Sequence, residues 1–166
     1  MSIAIVYASR YGTTRSVAES VAARINERGR SRATLLDTGS VRRADCPPDP
    51  IIVVGFPIYG GSTLAPIARF LERHERTLLE RRVSFFVSCL YTGPRAEGQL
   101  ADAVPSVLLA HAYGRYFVGG RVDFSALRPL HRFIMRRIGA VSGDVDKLDR
   151  AEVDRMVRDL VERTGA

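Results

Sequence analysis

The feature that most constrains this chain is an alternation of short, unbroken apolar runs with longer amphipathic stretches. The run Ile3–Ala8 carries no polar interruption, as expected of a strand buried on both faces. Ile51–Gly55 and Val83–Ser88 repeat the pattern, and Ala33–Leu36 and Arg115–Gly119 read as shorter strands. Between them the period changes. Val17, Val21 and Ile25 recur every four positions across Thr14–Arg28, while Arg15, Glu19, Arg24 and Glu27 are free to face water. Gly29 is a natural stop for that helix. Leu64–Arg73, Glu97–His111 and Ala151–Arg163 read as further helices, with Pro105 kinking or restarting the third. Strands that alternate with helices pair in parallel through right-handed crossovers. The expected fold class is therefore α/β: a doubly wound open sheet of about five parallel strands, order 2-1-3-4-5, with helices on both faces.

A sheet of this kind binds ligands beyond the carboxyl ends of its strands. Three loops fall there. The first, Ser9-Arg10-Tyr11-Gly12-Thr13-Thr14, lies between a buried strand and a helix N-terminus. Free amides and the positive end of the helix dipole favour an anion at that point. Ser9, Thr13 and Thr14 add hydroxyl donors, and Gly12 allows a tight turn. Capping of the helix by Thr13 or Thr14 is the simpler alternative, but it would need only one hydroxyl. The second loop runs from Gly55 to Ser62, where glycines let backbone approach a ligand and Phe56 and Tyr59 offer aromatic faces. Phe56, Pro57, Ile58, Tyr59 and Gly60 are expected to border a flat ring, with Ser88, Leu90 and Tyr91 of the third loop opposite. Cys89 reads as a small apolar residue at a strand end rather than a redox group.

Several chemistries are disfavoured. The chain has no GxxxxGK[ST] stretch for a nucleoside triphosphate and no GxGxxG after the first strand for a dinucleotide. A phosphoacceptor receiver would place acidic residues where Ala8-Ser9 and Gly55-Phe56 stand. Cys46, Cys89, His74, His111 and His131 show no metal-ligand spacing, so no metal is expected. No apolar run approaches the ~20 residues that span a bilayer, and the first run lacks the basic lead-in of a signal peptide. The 166 residues suit one domain, and a cytoplasmic protein is expected.

The loop motifs resemble those of flavodoxins, and most of all the flavodoxin-like, menaquinone-dependent protoporphyrinogen oxidases. The resemblance lies in the Ser/Thr-Arg-x-Gly-x-Thr loop at Ser9–Thr14 and in Gly55, Ile58, Tyr59 and Gly60. It extends to Phe133–Ile138 followed by Ser142-Gly143-Asp144. It implies a flavodoxin-like fold, non-covalent FMN, and transfer of electrons from a porphyrinogen to a quinone. The chain departs from that pattern at Asp149-Arg150-Ala151-Glu152, and it has no tryptophan.

A net charge of +7 favours anionic partners, and Lys147 is the sole lysine among 25 basic residues. Nucleic acid is not expected among those partners. The region 121–141 is an insert on a minimal five-strand plan. In it Leu127, Leu130, Phe133, Ile134 and Ile138 would share one helical face, and Arg128, Arg132, Arg136 and Arg137 would lie elsewhere. Such a helix can dock peripherally on the inner face of an anionic membrane, offer guanidinium groups to substrate carboxylates, or pack on the core with its basic face solvated. The leading expectation is an FMN-dependent oxidoreductase with a small-molecule substrate and a quinone or redox-protein acceptor. The alternatives are an electron carrier between protein partners and a flavin-free interaction module.

Overall fold

The computed structural model describes residues 1–41, 43–59, 62–122, 129, 133 and 144–162. Five strands form one parallel sheet: β1 (Ser2–Tyr7), β2 (Arg32–Asp37), β3 (Ile51–Pro57), β4 (Arg82–Ser88) and β5 (Gly114–Phe117). Their order is β2-β1-β3-β4-β5, the doubly wound order expected from the sequence. The central strands β1, β3 and β4 are almost wholly buried, whereas β2, at an edge, buries only Ala33. This explains why the central strands are the unbroken apolar runs.

Helices α1 (Thr13–Glu27) and α5 (Arg150–Glu162) cover one face of the sheet. Helices α2 (Ala65–Leu79), α3 (Gly93–Ala103) and α4 (Ser106–His111) cover the other. Side chains alternate accordingly. Ile3, Ile5 and Tyr7 of β1 join Val17, Val21 and Ile25 of α1 in the first cluster, while Val6 joins Ile67, Phe70 and Leu71 of α2 in the second. Each fully buried Ile, Leu or Phe contributes about 1.5–3 kcal/mol relative to exposure.

The structure corrects some sequence boundaries. The helix expected over Glu97–His111 is two helices, divided at Val104 and Pro105, which caps α4. The α2 helix runs to Leu79 rather than Arg73, passing through a non-helical residue at His74. The strand expected at Arg115–Gly119 ends at Phe117. Gly119, with φ of 72°, then turns the chain into a separate antiparallel pair, β6 (Gly119–Val122) and β7 (Val145–Leu148). A side chain on Gly119 would meet the Lys147 carbonyl oxygen at 1.9 Å, so glycine is required there. Neither strand is marked by an apolar period in the sequence. Of the basic insert, Arg121 and Val122 belong to β6, and Phe133 is 61% exposed. The amphipathic helix expected across 121–138 otherwise falls outside the described residues. Among the described residues no helix is long and apolar enough to cross a membrane.

Candidate functional site

Strands β1 and β3 are neighbours, but their following helices leave on opposite faces of the sheet. Open sheets of this kind bind ligands at such a switch point, and the three loops meet there. Backbone bonds stitch them together. The Ala8 amide donates to the Gly55 carbonyl at 3.2 Å, and the Ile58 amide donates to the Ser88 carbonyl at 3.2 Å. A buried side-chain bond, Thr14 Oγ1 to Ser88 Oγ at 3.3 Å, joins the first loop to the third.

The first loop settles how α1 begins. Its N-cap is Gly12, in the left-handed region at φ 90°, ψ −19°, and no side chain caps the helix. Neither threonine takes that role. Thr14 is turned to Ser88, and Thr13 Oγ1 donates to the Arg121 carbonyl at 3.1 Å. Ser9 Oγ accepts from the Gly12 amide at 3.1 Å, which shapes the turn. No acidic residue stands in the first turn of α1. The leading amides of a helix have no intrahelical partners, so this end combines donors, dipole and hydroxyls, and its first turn carries no carboxylate of its own. It fits a phosphate.

The second loop supplies one aromatic rather than two. Phe56 is fully buried in the core beneath α2 and offers no ring face to the switch point, contrary to its expected stacking role. The physical cause is strand alternation: Phe56 shares its sheet face with Ile52 and Val54. Gly55 likewise serves the core. A Cβ there would stand 2.0 Å from Phe86 Cζ, so its missing side chain makes room for that ring rather than for a ligand. Pro57 and Ile58 are buried, leaving their backbone toward the loops. Tyr59 is 41% exposed. Its ring meets Tyr11 edge-on at 6.1 Å, and the Arg10 guanidinium lies over it at 5.8 Å. Burial, and then Tyr11, push the Tyr59 hydroxyl up to about 12 against the opposing Arg10 charge. It keeps its proton at neutral pH and can donate a hydrogen bond but not serve as a base. Ser62 pairs with Tyr59 through two backbone bonds of 2.9 and 3.1 Å. Gly60 lies outside the described residues.

In the third loop Ser88 is buried and bonded to Thr14, while Leu90 and Tyr91 are half-buried. The Arg95 guanidinium covers one face of Tyr91 at 3.7 Å from the ring centre. Cys89 donates its thiol to the Tyr91 carbonyl at 3.3 Å, and burial raises its pKa. A protonated, enclosed thiol is a poor nucleophile.

Sequence reasoning missed the β6–β7 pair as part of this site. Gly120 packs against Leu90 and the Cys89 carbonyl, and Arg121 accepts the Thr13 hydroxyl. The strands are four residues each, too short to show a period. The adjacent glycines Gly119 and Gly120 were the available signal.

A sequence model of the flavodoxin domain family matches residues 4–149. No curated protein sequence matches the chain. Among solved structures it resembles the flavodoxin of Streptococcus pneumonia TIGR4, with TM-score 0.62 and 14% identity over 98% of this chain and 99% of that one. A flavodoxin from the domain Archaea gives 0.56 and 18%, covering all of both chains. Rubredoxin oxygen:oxidoreductase of Desulfovibrio gigas gives 0.56 and 14% over 99% of this chain. The present chain spans only 37% of that protein's length. At these identities the likeness establishes the fold. None of these matches is specific to the protoporphyrinogen oxidases.

Proposed function

The chain belongs to the flavodoxin domain family, and on that premise we propose that it is an FMN-dependent redox domain that exchanges electrons with a partner. The family implies FMN as the cofactor. One observation of the structure carries the assignment. The N-terminus of α1 has no side-chain cap and no acidic residue in its first turn, and it stands at the β1–β3 switch point behind a left-handed glycine.

Ser9, Gly12, Thr13 and Thr14 would hold the phosphate through the free helix amides and through hydroxyls, those of Thr13 and Thr14 exchanging their bonds to the Arg121 carbonyl and Ser88 for it. Arg10 and Tyr11 border it. The backbone of Phe56, Pro57 and Ile58, with the Tyr59 ring, would line one side of the isoalloxazine. Ser88, Leu90 and Tyr91 would line the other. When bound, FMN supplies the electron-accepting chemistry, and the protein supplies orientation and electrostatics. Arg10 and Arg95 sit on the two tyrosines that would flank the ring. Their charge favours a more negative cofactor and so raises its potential. Tyr59, holding its proton, can donate to a cofactor heteroatom.

A second reading is the oxidation of a porphyrinogen with a quinone acceptor. It is supported by the motifs at Ser9–Thr14 and Gly55–Gly60 and by the basic character of the chain. Turnover of protoporphyrinogen with a quinone tests it directly.

The test of the main reading compares FMN with riboflavin, which lacks the phosphate. Purified protein is stripped of cofactor and titrated with each, following flavin fluorescence. FMN is expected to bind at least a hundredfold tighter, an advantage that falls about tenfold in Thr14→Val. Failure to take up FMN, or equal affinity for riboflavin, rejects the assignment.

A further inference from the structure

Among the described residues, four arginines are neutralised by a carboxylate. Arg15 pairs with Asp37, Arg24 with Asp154, Arg121 with Asp146, and Arg155 with Glu152. Three others converge without one. Arg43, Arg69 and Arg73 line a single groove between the segment after β2 and the first half of α2. All three are exposed, and none makes an ion pair or a side-chain hydrogen bond with any described residue. Arg69 and Arg73 are one helical turn apart and share a face of α2, where like charges repel. Among the described residues no carboxylate pairs with them.

The groove is held in shape. His74 Nε2 lies 3.0 Å from the Ala44 carbonyl, tying the segment that carries Arg43 to α2. Thr38, at the floor, is fixed by its amide and hydroxyl to the Tyr7 carbonyl at 2.8 and 3.1 Å. Tyr7 is the last residue of β1, just ahead of the phosphate loop, and α2 begins where the second loop ends. The groove therefore lies beside the cofactor loops, on the same end of the sheet.

We propose that the groove lined by Arg43, Arg69 and Arg73 is the docking surface for an acidic protein partner, whose carboxylates engage the three guanidinium groups. A guanidinium fork matches a carboxylate with two parallel hydrogen bonds, which suits arginine over lysine. Opposite charges on two protein surfaces steer encounter and fix register. Ile67, Phe70, Leu71 and Leu78 of α2 are buried and Leu79 half-buried, and Val41 is the one exposed large apolar side chain among the described residues lining the groove, so the helix presents no broad apolar face to insert into a lipid surface. Among the described residues lining the groove there is no exposed aromatic ring for stacking bases, since Phe70 is 2% exposed. That the partner exchanges electrons here rests on the FMN reading, while recognition of an acidic surface does not.

The experiment uses the full chain with a fluorescein-labelled hexaglutamate peptide as probe, read by anisotropy at low and moderate salt. Arg43→Glu/Arg69→Glu/Arg73→Glu is compared with Arg30→Glu/Arg32→Glu/Arg158→Glu, which changes the net charge equally at exposed positions outside the groove. The neutral variant Arg43→Gln/Arg69→Gln/Arg73→Gln guards against misfolding of the reversal, with circular dichroism as the check. Expected is salt-sensitive binding that weakens at least tenfold in both groove variants and less than threefold in the control. Equal losses in groove and control variants would show that net charge alone attracts the peptide, and would overturn the proposal. So would unchanged binding in the groove variants. Vesicles of phosphatidylglycerol and phosphatidylcholine form a second arm. Groove-dependent sedimentation with vesicles, without peptide binding, would assign the surface to lipid instead. Binding is read with and without FMN, so a failure to load FMN rejects the cofactor reading and leaves this result interpretable.

Discussion

Gly12 and Gly55 answer different physical demands, and substitution separates them. Gly12 faces open space but holds φ at 90°, where an L side chain is strained. Gly55 has ordinary backbone but no room, with the Phe86 ring 2.0 Å from where a Cβ would sit. Gly12→Ala is expected to cost about 1–2 kcal/mol from backbone strain and to weaken FMN binding. Gly55→Ala is expected to cost about 1–3 kcal/mol or more by overpacking a fully buried ring. Gly98→Ala, in the interior of α3 with open space around it, should instead stabilise by about 0.5–1 kcal/mol. Urea denaturation of the three variants measures all of this, and equal effects at positions 12, 55 and 98 would contradict it. The sequence made both loop glycines visible as permissive residues. It could not tell which freedom each one uses, because strain is set by local backbone and clearance by a strand partner 31 residues away.

At the scale of elements, the join between α1 and β2 is electrostatic. Arg15, in the first turn of α1, bonds Asp37 at the end of β2 at 2.7 Å. Burial alone would raise the Asp37 pKa, but bonds from Arg15, Ser40 and the Gly39 amide outweigh it and hold the carboxyl below its ordinary value. A carboxyl depressed in the folded state contributes stability above its unfolded pKa and loses it as the pH falls through the folded value. Arg15 is 49% exposed, so solvent screens the pair. Asp37→Asn is expected to cost about 1 kcal/mol at neutral pH. The gap to wild type should narrow as the pH falls below the ordinary carboxylate range and close once the folded-state carboxyl is protonated. Urea midpoints at pH 7 and pH 3 check this, and a gap that widens in acid would refute it. Both residues stand in the sequence, yet only the parallel pairing of β1 with β2 brings the end of β2 beside the start of α1.

For the whole molecule, a cofactor that binds only the folded chain must stabilise all of it. FMN at a hundredfold excess over its Kd should add about 2.7 kcal/mol. In a domain of this size that is a rise of about 5–10 °C in the thermal midpoint. Calorimetry with and without FMN would show it, and an unmoved midpoint would oppose the reading. The two periods in the sequence determined the element order and, with the right-handed crossover, the class of open parallel sheet, while the pairing order β2-β1-β3-β4-β5 is a tertiary outcome. The periods also marked Ser9–Thr14 as the turn from a buried strand into a helix N-terminus. These features are local, so neighbouring residues suffice to specify them. Only the tertiary structure decided what each loop side chain does. It buried Phe56 in the core, turned Thr14 to Ser88, brought the Arg121 carbonyl to Thr13, and gathered Arg43, Arg69 and Arg73 around one groove. Those outcomes depend on contacts between residues far apart in the chain, and hydrophobic period carries no record of them.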